Sequence, residues 1–245
     1  MERGFGVAVL RVGTSGWHYA HWKSVFYPPH VKPEDWLSFY ASRFDTVEVN
    51  NSFYRLPSRD AFISWREKVP AGFTFAVKAS RYITHMKKLQ AAGEALANLL
   101  DNAGGLGDKL GPVLFQLPPN WKRNPSRLDE FIAMLPAGGR YVFEFRDETW
   151  LHDDVYRVLE SGNCALCIAS SPSYPSAERI TADFAFLRFH GGSVPYGSKY
   201  PRGELQRWAA FTRSLLQEGR DTYAYFNNDA CGYALDDAAT FKELV

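Results

Sequence analysis

The chain has 245 residues, 46% of them hydrophobic and 22% charged, with a formal net charge of +1. This is the balance of an ordinary globular protein with enough chain for a sizeable core, and it excludes an overall field that would call for nucleic acid or an anionic membrane as partner. No stretch approaches transmembrane length, and Met1 to Leu10, whose one apolar run is Val7 to Leu10, does not read as a signal peptide.

Leu10 to Thr14 reads as a first strand and runs into the aromatic loop Ser15 to Trp22. Trp36 to Arg43 carries Trp36, Leu37, Phe39 and Tyr40 at helical spacing, and Thr46 to Asn50 follows as a second strand. Strand side chains alternate, so Thr46, Glu48 and Asn50 share one face and Val47 and Val49 the other. Ser58 is placed to cap a helix through Lys68, which Pro70 and Gly72 stop. Phe73 to Ala79 alternates as a third strand, with Thr74, Ala76 and Lys78 on one side. A helix is expected from about Leu89 to Asp101, and Pro112 to Leu117 reads as a fourth strand pairing Leu114 with Gln116 on one face. Between these two, the glycine-rich stretch Gly104 to Gly111 follows a helix and precedes a strand, the reverse of a nucleotide-binding loop, and is expected to be a connecting turn.

Ser126 to Leu135 is helical in pattern, and Tyr141 to Arg146 is a fifth strand with Val142, Glu144 and Arg146 facing one way. After a helix over Asp153 to Ser161, a sixth strand spans Cys164 to Ala169. Its C-x-x-C spacing would suggest metal or redox chemistry, but an offset of three in a strand sends Cys164 and Cys167 to opposite faces, as packing residues. With three cysteines in all, a reducing, cytoplasmic setting is expected. Ser171 to Thr181 is turn-rich and has the poorest helical pattern of the connections. Ala185 to His190 is a seventh strand with Phe186, Arg188 and His190 together, followed by a flexible loop from Gly191 to Arg202. A helix from about Glu204 to Glu218, an eighth strand over Thr222 to Asn227 and a closing helix over Asp236 to Leu244 complete the pattern.

Eight strands alternating with helical connections over this length predict a single α/β domain, a (β/α)8 TIM-like barrel. In that fold the active site lies at the C-terminal ends of the strands. The residues predicted to arrive there are Thr14, Glu48, Asn50, Lys78, Gln116, Glu144, Arg146, Arg188, His190 and Asn227. So many polar ends in one lumen mark a site, because isolated charges are costly to bury. The structural alternative is an internal ion-pair network in which Glu48 and Glu144 neutralise two of Lys78, Arg146 and Arg188. Two acids against three bases and a histidine lean cationic, which suits an anionic or phosphorylated small molecule, and Gly191 could add a backbone N–H. Trp17, Tyr19, Trp22, Phe53, Tyr54, Tyr82, Tyr196 and Tyr200 fall in predicted mouth loops, where rings can pack on a sugar or simply on one another.

Metal binding is the rival reading, through Glu48, Glu144, His190 and Asp229, but three cations in the same mouth oppose a divalent ion. His18-x-x-His21 has no third ligand nearby in sequence. No cofactor is therefore expected. Arg81, Lys87 and Lys88 form only a small basic cluster, short of the stripe that tracking a nucleic acid requires.

Several segments together resemble the YecE-like family, the domain of unknown function numbered seventy-two. They include Thr14-Ser-Gly-Trp-His-Tyr19, Phe44-Asp-Thr-Val-Glu-Val-Asn50, Phe75-Ala-Val-Lys78, Leu110-Gly-Pro-Val-Leu-Phe-Gln-Leu-Pro-Pro119, Phe143-Glu-Phe-Arg146, Leu187-Arg-Phe-His-Gly191 and Tyr225-Phe-Asn-Asn-Asp229. The matches run in order along nearly the whole chain. The resemblance implies a TIM-like barrel and a loose likeness to sugar isomerases, without supplying a reaction; at Ser170 the chain departs from the family pattern, in which an acid follows Ala169.

The chemistry expected from these residues is metal-independent proton transfer on a small polyhydroxylated substrate. Glu144 or Glu48 would act as base, Lys78 would stabilise an oxyanion, His190 would relay the proton, and Arg146 and Arg188 would clamp an anionic group. Lys78 could instead form a Schiff base, making the enzyme a lyase. A metal-assisted phosphoester hydrolase and a non-catalytic ligand-binding barrel are the alternatives.

Overall fold

The structure is a computed structural model describing residues 7–245; residues 1–6, part of the stretch considered above for a signal peptide, lie outside the described residues. Its strands are β1 (Leu10–Thr14), β2 (Thr46–Val49), β3 (Thr74–Lys78), β4 (Leu110–Gln116), β5 (Tyr141–Glu144), β6 (Ala165–Ser170), β7 (Phe184–Phe189) and β8 (Asp221–Phe226). All pairings are parallel and link the strands into one sheet from β1 through β8 round to β2. The helices are α1 (Trp36–Ala41), α2 (Arg59–Glu67), α3 (Gly93–Ala103), α4 (Pro125–Ile132), α5 (Asp153–Ser161), α6 (Arg202–Gln217) and α7 (Tyr233–Leu244). The arrangement is the expected (β/α)8 TIM-like barrel.

Alternation sorts the side chains into two cores. Val47, Val49, Phe75, Val77, Phe115, Phe143, Leu187 and Phe226 pack outward under the helices. Ala76, Leu114, Val142, Cys167, Phe186, Tyr223 and Tyr225 fill the lumen and form an apolar floor beneath its polar end. Cys164 belongs to the outer core and Cys167 to the lumen, so the two thiols do face opposite ways and both are buried. Among the described residues no helix is long and apolar enough to cross a membrane.

The barrel closes where β1 meets β2, a seam carried by a bridge between Ser15 and Glu48. Gly13 lets the two backbones approach there: a Cβ at that position would lie 2.1 Å from the Thr46 carbonyl oxygen. Tyr40 of α1 stitches the same seam, its hydroxyl accepting from the Thr14 amide at 2.9 Å and donating to the Thr46 carbonyl at 3.1 Å.

Two connections differ from the sequence reading. Residues 171–181 form no helix, because Pro172 and Pro175 supply no N–H to a helical ladder and Ser171, Ser173 and Ser176 favour turns. The helix expected from Leu89 begins at Gly93, and a π-helical turn, Tyr82–Met86, precedes it. Lys88, Leu89 and Ala91 lie between them with φ of 47°, 66° and 47°, a left-handed conformation that no right-handed helix can contain.

Candidate active site

Arg188 is the centre of the polar end of the barrel. It rises from β7 opposite Ala169 of β6, and that small neighbour leaves its side chain room to lie across the lumen. Its Nη1 donates to Glu144 Oε2 at 2.5 Å and its Nη2 to Glu48 Oε1 at 2.7 Å, joining β7 to β5 and β2. Glu144 Oε1 takes a second guanidinium, Arg146 Nη2, at 2.6 Å, and lies 3.2 Å from His190 Nε2. Glu48, Glu144, Arg188 and His190 are each 0% exposed.

This geometry decides protonation. Burial alone would raise the Glu144 carboxyl, but Arg146, Arg188 and the His190 hydrogen bond outweigh it and hold the group well below the carboxylate range. Burial likewise works against the Arg188 cation and is outweighed by Glu144 and Glu48. His190 is lowered to about 4, by burial first and by the two arginines, against the pull of Glu144. It is therefore neutral at pH 7, with Asn227 Nδ2 donating to Nδ1 at 3.2 Å and Nε2–H turned to Glu144. The two acids and two arginines thus neutralise one another, which is the ion-pair network weighed against a site in the sequence.

Lys78 stands outside that network. It is 7% exposed, and among the described residues no carboxylate lies within ion-pair distance of it. Its Nζ donates to Asn50 Oδ1 at 3.1 Å and sits 4.2 Å from the centre of the Phe53 ring, a weak replacement for water. Burial first, then Arg188, lowers its pKa to about 8, so about a tenth of the amine is neutral at pH 7. Asn50 also lines a cleft of about 250 Å³ with Gly16, Trp17, His18, Tyr19, Asn51 and Tyr54. Trp17 is buried edge-on against Trp65, whereas Tyr54 is 74% exposed at the rim.

Several expected site residues land elsewhere. Thr14 pairs in register with the outward-facing Phe226, and its hydroxyl meets Gly16 O and the Tyr40 hydroxyl on the helix side. The mouth position of β1 belongs to Ser15, whose buried Oγ has no partner among the described residues; the close approach at Gly13 fixes that phase. Arg188 cannot clamp a substrate, since both terminal nitrogens are committed to carboxylates and the side chain is sealed. The Gly191 amide is spent on the Tyr200 hydroxyl at 3.1 Å. Gln116 accepts from Arg146 at 3.4 Å, and Arg146 is covered by Tyr174, whose ring centre lies 3.6 Å from the guanidinium, and by the Tyr196 hydroxyl at 3.3 Å. Tyr174 comes from the turn-rich segment, where nothing in the sequence ties it to strand β5.

Of the candidate metal ligands, Glu48, Glu144 and His190 gather around Arg188, where guanidinium groups take the positions beside the carboxylates, and the others lie apart from them. Asp229 pairs with His21 at 3.0 Å and accepts from Trp22 Nε1 at 2.9 Å, while His18 packs on Trp36 with ring centres 4.8 Å apart. Among the described residues no group of three or more His, Cys, Asp or Glu side chains is placed to hold a metal ion. Ser170, the departure from the family pattern, pairs with Phe189 and hydrogen-bonds to Tyr200, outside the lumen.

The family model described as "Protein of unknown function DUF72" matches residues 11–245. UPF0759 protein YunF of Bacillus subtilis is 26% identical over 97% of this chain and 95% of its own, and UPF0759 protein YecE of Escherichia coli is 30% identical over 45% of this chain and 41% of its own. The crystal structure of a DUF72 family protein (TM1631) from Thermotoga maritima superposes with a TM-score of 0.87 at 28% identity, covering 96% of this chain and 98% of that one. The chain belongs to the DUF72 family of proteins of unknown function.

Proposed function

We propose that the protein is an enzyme acting on a small carbonyl compound, with Lys78 as the reacting amine. One observation carries this reading: Lys78 is a buried lysine with a lowered pKa of about 8 and, among the described residues, no carboxylate partner, and its amine donates to Asn50, a residue lining the cleft. A structural lysine in such a barrel would be paired, as both arginines are. The acids are poor candidates for the general base. Glu144 is held ionised by two guanidinium groups and has no oxygen free of a cation, and Glu48 is sealed beneath Arg188.

Neutral Lys78 Nζ adds to the carbonyl carbon of the substrate, forming a C–N bond while the oxygen takes up a proton. Loss of water from the carbinolamine then gives an imine, whose protonated form draws electrons from the adjacent C–C or C–H bond. Arg146, Arg188, Glu48 and Glu144 serve this step as a fixed scaffold: their charges cancel locally, and the nearby Arg188 favours the neutral amine. The aromatic cleft fits a substrate of sugar size or smaller.

Reductive trapping tests the reading. Incubation with glyoxylate, glycolaldehyde, pyruvate or dihydroxyacetone phosphate and cyanoborohydride is expected to add the reduced carbonyl fragment at Lys78, located by peptide mass spectrometry, and to leave Lys78→Ala unlabelled there. Absence of any Lys78 adduct across the panel would overturn the reading in favour of a binding barrel.

A further inference from the structure

Imine formation needs a group that takes a proton from the attacking amine and returns one to the departing hydroxyl. Glu144 and His190 are committed to guanidinium and amide partners, and Glu48, with one oxygen on Arg188, is sealed at 0% exposure, so none of them serves Lys78. We propose that His85, on the π-helical turn after β3, is the proton-transfer residue of the Lys78 site. This inference rests on the Lys78 reading.

The Phe53 ring joins the two groups. Lys78 Nζ lies 4.2 Å from its centre and the His85 ring centre lies 5.0 Å from it, edge to face. Both groups thus contact one phenyl ring. Thr84, fully buried beside it, orients the imidazole: its hydroxyl donates to the Ser80 carbonyl at 3.4 Å and accepts from His85 Nδ1–H at 2.9 Å. Nε2 is then the basic nitrogen, and among the described residues it has no protein partner. Burial first, then the charges of Lys78, Arg81 and Arg146, lowers His85 to about 4. It is neutral at pH 7, as an acceptor must be, and once protonated is a strong acid toward a leaving hydroxyl.

The backbone around it is also set apart. A π-helical turn is rare and recurs at functional positions. Lys88, Leu89 and Ala91 follow with positive φ, a strained return that fixes where the turn ends.

The proton balance closes at Nε2. As Nζ adds to the carbonyl carbon, its excess proton moves to Nε2 and the alkoxide takes up one proton from solvent, a net uptake that the product keeps as the N–H of the protonated imine; the imidazolium then protonates the departing hydroxyl as the nitrogen lone pair closes the C=N bond. One water leaves and His85 returns to its neutral form.

The test is the rate of Lys78 labelling by glyoxylate and cyanoborohydride at pH 7. His85→Gln is expected to slow it at least tenfold, with thermal stability and acetylation of Lys78 by acetic anhydride unchanged, and free imidazole is expected to restore the rate in His85→Ala. Equal labelling rates in unsubstituted protein and His85→Gln, or no acceleration of His85→Ala by imidazole, overturn the proposal while the Lys78 reading stands. Failure to label Lys78 in the unsubstituted protein overturns both.

Discussion

At the scale of the residue, burial lowers the pKa of two histidines and one lysine, and the protein's pH response follows. Below about 6.5 an unfolded chain binds a proton at His190 that the folded chain, with this group lowered to about 4, does not bind. The His190 contribution is therefore fully present above about pH 6.5 and is lost as pH falls toward 4. Urea unfolding at pH 7 and pH 5 is expected to show this loss, and His190→Asn to reduce its slope. Lys78 has the same sign in another window. Its ammonium is costlier to hold in the fold than in the unfolded chain, so Lys78→Met is expected to raise the unfolding free energy at pH 7 by roughly 1–3 kcal/mol. That gain should shrink as pH rises from about 8 to 10.5, where the unsubstituted chain is relieved of the charge. A stabilising substitution that also removes labelling would identify Lys78 as retained for chemistry.

At the scale of the element, strand phase matters more than strand identity. Strands β2 to β5 and β7 keep the alternation expected from their sequences, with Glu48, Lys78, Gln116, Glu144 and Arg188 at the polar end of one lumen. β1 is out of step because its last lumen position is Ser15, one residue beyond the strand proper. The weak point of the sheet is the β1–β2 seam, where the Tyr40 hydroxyl supplies bonds that a regular ladder would otherwise make. Tyr40→Phe leaves the Thr14 amide and Thr46 carbonyl short of a buried partner and is expected to cost about 2–4 kcal/mol. Urea unfolding checks the magnitude, and faster amide exchange at Thr14 in the variant checks the location.

At the scale of the whole molecule, the barrel gathers charges from strands far apart in sequence and lets most of them cancel, leaving Lys78 beside an aromatic cleft. A thermal-shift screen of small keto and aldehyde acids, sugar phosphates and neutral sugars is expected to find ligands among the carbonyl compounds, with shifts unchanged after exhaustive chelation. A ligand of the folded state raises apparent stability by mass action. Much of this architecture is legible in the chain: the βα rhythm and the alternation of Val47, Glu48 and Val49 or Phe143, Glu144 and Phe145 are local consequences of backbone geometry, and they determine the barrel and its polar end. Which charge neutralises which is not local. Arg188 reaching Glu48 across 140 positions of sequence depends on the size of Ala169 and the closure of the lumen, and the sequence alone left it free to clamp a substrate. The isolation of Lys78, the approach of His85 to Phe53 and the outward turn of Thr14 likewise depend on register and packing. By itself the sequence determined the fold and the set of polar residues at its mouth; only the tertiary structure decided which of them remain free to react, because pairing and desolvation are properties of side chains brought together from different strands.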